Sequence, residues 1–156
     1  MLEIIIPSLG HFSFKHIVFD FNGTLGLNGV LTEPIRLRLI ELSKKIEIHV
    51  ISSDTYGTLS EQFELLPVQV AILSADKGTF EKGNYIKTLG SDTCIAVGNG
   101  SNDSKMLKEA ILSIAVIGHE GLSLKALRDA DLIFTSIEDV FDSLENPMRL
   151  AATLRE

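Results

Sequence analysis

Asp20 ends the apolar stretch Ile17-Val18-Phe19 and leads into Phe21-Asn22-Gly23-Thr24-Leu25. A carboxylate that leaves a strand into a tight turn is placed to act as a nucleophile or a metal ligand, and Gly23 lets the backbone come close to a bound phosphate. The same residues also suit an ordinary Asn-Gly turn. Ser52-Ser53-Asp54 follows a second apolar run; its first hydroxyl can donate to a phosphate oxygen, or the three can cap a helix beginning at Thr55. Gly98-Asn99-Gly100-Ser101-Asn102-Asp103 follows a third. Two glycines around an amide, then an acid, can bring oxygen donors to a hard cation, although Asn102 or Asp103 can also cap the next helix. A phosphoryl group beside carboxylates needs a fixed positive charge besides a metal. Lys82 is the candidate, because it heads a helical face continued by Ile86 and Leu89 at i+4 and i+7; Lys77 and Lys87 compete for the role.

These loops need a scaffold that brings them together. Strands are predicted at 16–20, 46–51, 68–73, 93–97, 113–117 and 131–134, in short and mostly unalternated apolar runs such as parallel strands buried on both faces carry. Between them, Pro34 opens a helix with Ile35, Leu39 and Leu42 on one face, and further helices are predicted over 55–65, 79–89, 103–110, 122–128 and 137–144. This alternation predicts an α/β fold: a doubly wound, Rossmann-like, mostly parallel sheet in three layers, α/β/α. Ligands of such folds sit beyond the carboxyl ends of the strands, where the loops after residues 19, 51 and 97 meet. Residues 3–6 are expected as an extra edge strand, and the length predicts one domain over 1–156.

The composition excludes several classes. The net charge is −7 and the 14 Lys and Arg are scattered, so no basic stripe is available for nucleic acid. No apolar run is long enough for a membrane span, and the first residues lack the basic start and cleavage pattern of a signal peptide. The single cysteine, Cys94, cannot form an internal disulfide, which fits a reducing, cytoplasmic setting. Asp20–Leu25 lacks the G-x-G-x-x-G expected of a dinucleotide site. His11, His16, His49 and His119 show no metal-ligand spacing and are expected to be structural or solvated.

In chain order, Asp20-Phe21-Asn22-Gly23-Thr24, Ser52, Lys82 and Gly98-Asn99-Gly100-Ser101-Asn102-Asp103 resemble the four signature motifs of the haloacid dehalogenase (HAD) superfamily. The last motif with Leu107, and Lys82 followed by Ile86 and Leu89, are similar to the phosphorylation domain of P-type ATPases. The resemblance covers roughly residues 16–135. It implies Asp20 as aspartyl nucleophile, Ser52, Asn22, Gly23 and Lys82 around the phosphate, and Asp20, the Asn22 carbonyl, Asn99 and Asp103 near Mg²⁺. Three departures qualify it. Only about 30 residues separate Asp20 from Ser52, and Ser52 from Lys82, leaving no room for a cap domain and, with no span, excluding an ion pump. HAD phosphatases usually have Asp at the place of Asn22, which cannot transfer a proton in that way. Asn99 offers an oxygen without charge, which weakens Mg²⁺ binding. The resemblance therefore implies a slow Mg²⁺-dependent phosphohydrolase working through phospho-Asp20, the alternative being a phosphate-binding or regulatory module with little turnover. An open site suits a large or protein-borne phosphate, or a homo-oligomer whose neighbour supplies a lid.

Overall fold

Two strands, β1 (Leu2–Ile6) and β2 (Gly10–Phe14), form a separate antiparallel ribbon. Residues 3–6 therefore do not extend the main sheet as expected. Leu2, Ile4 and Ile6 are buried while Glu3 and Ile5 are exposed, a one-faced pattern that suits a ribbon laid on the core rather than a strand covered on both sides. The computed structural model describes residues 1–53 and 59–156; Asp54 and the first part of the helix predicted over 55–65 lie outside them.

The main sheet has six parallel strands, β3 (His16–Asp20), β4 (Glu47–Ser52), β5 (Gln69–Ile72), β6 (Cys94–Gly98), β7 (Leu112–Val116) and β8 (Leu132–Phe134), in the order β5-β4-β3-β6-β7-β8. The helices are α1 (Glu33–Ser43), α2 (Leu59–Phe63), α3 (Gly78–Leu89), α4 (Ser104–Glu109), α5 (Leu124–Asp129), α6 (Ile137–Glu145) and α7 (Met148–Leu154). This is the doubly wound Rossmann-like arrangement expected from the sequence. Among the described residues no helix is long and apolar enough to cross a membrane.

The period-two alternation of β3 divides the core. Ile17 and Phe19 join Leu39, Leu42, Phe141 and Leu144 on the α1 and α6 side. Val18, with Ile51 and Ala96, joins Ile86, Met106, Leu107 and Ala126 on the α3, α4 and α5 side. Asp20 and His16 share the parity of Val18, so both project toward the α3 layer, at opposite ends of one strand. The chain winds one way from β3 into β4 and β5 and the other way into β6, β7 and β8. The loops after β3 and β6 thus flank the crevice at the strand-order reversal. Serines hold two helix starts on the second half of the sheet: Ser123 accepts from the Ala126 amide and Ser136 from the Asp139 amide.

Candidate active site

Lys82 is the residue around which the site is organised. Its side chain is fully buried, and its ammonium lies 2.5 Å from Asp20 Oδ1 and 2.6 Å from Asp103 Oδ1. Lys77, its competitor in the sequence, is exposed at the start of α3. The second Asp103 oxygen accepts the backbone N–H groups of Asn99, at 3.0 Å, and Gly100, at 2.8 Å. With both oxygens engaged and no exposure, Asp103 is turned away from the cavity. The sequence reading placed it near the metal; its contacts here are with Lys82 and the Asn99 and Gly100 amides. Gly98 makes this possible, since a Cβ there would lie 2.7 Å from Asp103 Cγ.

On the cavity side, the Thr24 hydroxyl is 3.3 Å from Asp20 Oδ2 and 3.2 Å from Asn99 Oδ1, within reach to donate to either. Asn99 Nδ2 donates to the Gly121 carbonyl at 3.0 Å, which directs its amide oxygen toward Thr24 and Asp20. Gly23 has φ +80°, and a Cβ there would meet Asn99 Nδ2 at 2.6 Å and Glu120 Oε2 at 2.9 Å. Only glycine lets the turn come this close. Asn22 Nδ2 lies 3.5 Å from the buried Ser52 Oγ, and Asn22 Oδ1 is buried without a hydrogen-bond donor. An orphaned acceptor costs about 1–3 kcal/mol unless a ligand satisfies it.

Asp20, Asn22, Ser52, Ser53, Asn99, Gly100, Asn102 and Glu120 line a cavity of about 220 Å³. A larger cleft of about 380 Å³ lies by residues 23–27 but is not lined by Asp20, whereas the smaller cavity is, so we assign the chemistry to the smaller one. Of the lining residues, Glu120 escaped the sequence reading, and Ser53, like Asn102, was there a possible cap rather than a site residue. Glu120 lies in the 118–121 turn after β7, and only the sheet order brings that turn beside Gly23.

The charge balance is unequal. Burial, reinforced by the neighbouring Asp103 charge, pushes Asp20 up to about 7 against the pull of Lys82 and Thr24. Burial alone would lower the Lys82 ammonium, but Asp20 and Asp103 together raise it above the ordinary lysine value, so it stays charged. One ammonium shared by two carboxylates leaves Asp20 short of positive charge. The oxygens of Asp20, Asn99 and the Asn22 backbone around the cavity are a donor set of the kind that suits a hard divalent cation such as Mg²⁺, and the unpartnered Asn22 Oδ1 beside them leaves a further acceptor for a ligand.

No family model matches the sequence. The uncharacterized protein MJ0073 of Methanocaldococcus jannaschii is 47% identical over 62 residues, covering 40% of this chain and 67% of that protein. Among solved structures, the 3-deoxy-D-manno-octulosonate 8-phosphate phosphatase of Moraxella catarrhalis, in complex with magnesium, phosphate and KDO, superposes with a TM-score of 0.68 at 18% identity, covering 91% of this chain and 94% of that one. A HAD-superfamily protein of subfamily III A from Legionella pneumophila gives 0.68 at 17% identity, covering 90% and 87%. This chain has the HAD fold. Its Asp20 turn, the start of the Lys82 helix and the 98–103 loop lie at the carboxyl ends of the strands, where ligands of doubly wound folds sit, and among the described residues no cap domain covers them.

The Asp20 environment has a consequence for stability. The folded chain holds this proton more tightly than the unfolded one, whose value is the ordinary 3.8. The favourable contribution is therefore complete below about pH 4 and lost as pH rises to about 7. A displacement of that size corresponds to on the order of 4 kcal/mol between the two protonation states. Without metal, wild type is thus expected to lose stability relative to Asp20→Asn between pH 4 and pH 8, with Mg²⁺ restoring most of the loss. Melting curves of both proteins in chelator and in Mg²⁺ test this; parallel pH profiles in chelator would contradict the Asp20 assignment.

Proposed function

We propose that this protein is a Mg²⁺-dependent phosphohydrolase that works slowly through a phosphoaspartate at Asp20. The observation that carries this reading is the buried Lys82 ammonium held against Asp20 by Asp103, next to a cavity lined by Ser52 and Asn99. A carboxylate with a fixed cation at its side and oxygen donors in front is suited to in-line attack on phosphorus. In the first step an Asp20 oxygen bonds to phosphorus as the ester P–O bond breaks, and Lys82 and Ser52 stabilise the charge on the phosphoryl oxygens. Mg²⁺, held by Asp20, the Asn22 carbonyl and Asn99, would neutralise the repulsion between carboxylate and phosphate. In the second step water attacks phosphorus, the bond to Asp20 breaks, and inorganic phosphate leaves.

Asn22 sets the rate of both steps, because its amide cannot donate a proton to the leaving group or accept one from water. Good leaving groups should therefore react first and the phosphoenzyme should accumulate. Glu120 is the other carboxylate in the cavity lining. We further propose that the substrate is a large or protein-borne phosphate ester, or that a neighbouring copy covers the open site. A reducing cytosol suits the buried Cys94, whose thiol burial and Asp92 push up to about 11.

The test is a burst experiment with an activated aryl phosphate, with and without Mg²⁺. The expected result is a Mg²⁺-dependent burst close to one equivalent, then slow turnover. Asn22→Asp should accelerate phosphoenzyme decay at saturating Mg²⁺ by about 10²-fold, the low end for general acid-base catalysis because the graft lacks supporting contacts. Equal or slower decay in a folded, metal-saturated variant would favour the phosphate-binding module over the enzyme.

A further inference from the structure

The opposite end of β3 carries a second constellation. His16 and Glu47 are register partners at the starts of β3 and β4, and His49 follows Glu47 by two residues on the same face. His16 Nδ1 lies 3.1 Å from His49 Nε2 and 3.2 Å from Glu47 Oε2, with His49 Nε2 3.9 Å from Glu47 Oε1. Among the described residues this is the one place where three such ligand atoms converge. It is about 13 Å along the strand from Asp20, four residues at about 3.3 Å each.

We propose that His16, His49 and Glu47 form a binding site for an imidazole-preferring divalent transition metal, Zn²⁺ in the first instance, distinct from the Mg²⁺ site. Three arguments support it. First, the spacing fits: ligands about 2.0–2.2 Å from a tetrahedral Zn²⁺ stand roughly 3.3–3.5 Å apart, close to the 3.1 and 3.2 Å that separate His16 Nδ1 from His49 Nε2 and from Glu47 Oε2, and one ligand atom from each of the three residues falls within 4.8 Å of the others. Second, the outer contacts orient the ligands. Tyr85 Oη of α3 lies 3.0 Å from His49 Nδ1; an Nδ1–H donated to it leaves the Nε2 lone pair facing His16 and Glu47. Gln69 Nε2 donates to Glu47 Oε1, which holds the carboxylate while Oε2 faces His16. Third, access and chemistry agree. His49 is buried, His16 nearly so, and Glu47 half exposed, leaving a fourth position open to water. Two imidazoles and one carboxylate favour Zn²⁺ over the Mg²⁺ that the all-oxygen cavity suits.

The experiment is titration of the metal-free full chain with Zn²⁺ by calorimetry, and with Co²⁺ by visible absorption, in saturating Mg²⁺ so that the other site is filled. One equivalent of Zn²⁺ is expected to bind, and Co²⁺ should give the intense ligand-field bands of a low-coordinate site. His16→Gln and Glu47→Gln lie near the surface and should fold; each is expected to weaken Zn²⁺ by about 100-fold or more. Tyr85→Phe should cost about 10-fold, as loss of a contact behind a metal-bound histidine does. Asp20→Asn should bind Zn²⁺ like wild type. Absence of saturable Zn²⁺ binding, unchanged affinity in a folded His16→Gln, or loss of binding in Asp20→Asn would each overturn the proposal.

Discussion

Asp20→Asn is expected to reduce Mg²⁺-dependent hydrolysis of an activated phosphate ester to background, a loss of about 10⁴-fold or more, because it removes the only group proposed to bond to phosphorus. The amide is nearly isosteric: its oxygen can keep accepting from the Lys82 ammonium, while its Nδ2 donates to the Thr24 hydroxyl, which is left to donate to Asn99 Oδ1. It also ends the repulsion with Asp103 and the burial of a charge, the two effects that push Asp20 up. The variant should therefore be folded and, without metal at neutral pH, at least as stable as wild type. Inactivity can then be read as lost chemistry rather than lost structure. A folded Asn variant that retains normal hydrolysis would show that another residue is the nucleophile.

Lys82→Ala should reduce turnover by about 10²–10³-fold, the size expected when a preorganised donor to the phosphoryl oxygens is lost. Its second effect is on stability. Asp20 and Asp103 are both buried, and Lys82 is their shared counter-ion. Removing one member of a buried ion pair typically costs about 3–5 kcal/mol, since the remaining charges are left uncompensated. Asp103→Asn removes one of those charges, so combining it with Lys82→Ala should cost clearly less than the two single losses added together. Lys77→Ala, at the exposed start of α3, should change neither rate nor melting temperature appreciably. Steady-state kinetics and thermal melts of the four proteins decide this. A larger effect at Lys77 than at Lys82, or strict additivity of the double variant, would contradict the role given to Lys82.

Local signals carried much of this architecture. Residues 16–20 were legible as a strand because an uninterrupted apolar run ends in an acid, and the helix at 78–89 because Lys82, Ile86 and Leu89 repeat at helical spacing. The convergence of Asp20, Ser52, Lys82 and the 98–103 loop followed from the doubly wound topology together with the motif resemblance. What stayed hidden depends on contacts between distant segments. β2 has a mixed burial pattern that declares itself only when paired with β1, and α7 is a short helix stabilised by burying Leu150 and Ala151. The anchoring of Lys82 by Asp103, whose other oxygen takes the Asn99 and Gly100 amides, was likewise not legible in the sequence. Glu120 reaches the cavity through the placement of β7 beside β6. His16 and His49 were expected to be structural or solvated, because their proximity depends on the parallel register of β3 with β4.

The most direct test of the account is to identify the atom that carries the phosphoryl group. Wild-type protein incubated with acetyl phosphate and Mg²⁺, quenched in acid and reduced with borohydride, should yield a peptide in which residue 20 has become homoserine, as reduction of an acyl phosphate on an aspartate requires. The product should be absent without Mg²⁺ and absent in Asp20→Asn. Homoserine at another aspartate, or none at any position while the protein hydrolyses the same phosphate, would contradict a phosphoaspartate mechanism at Asp20.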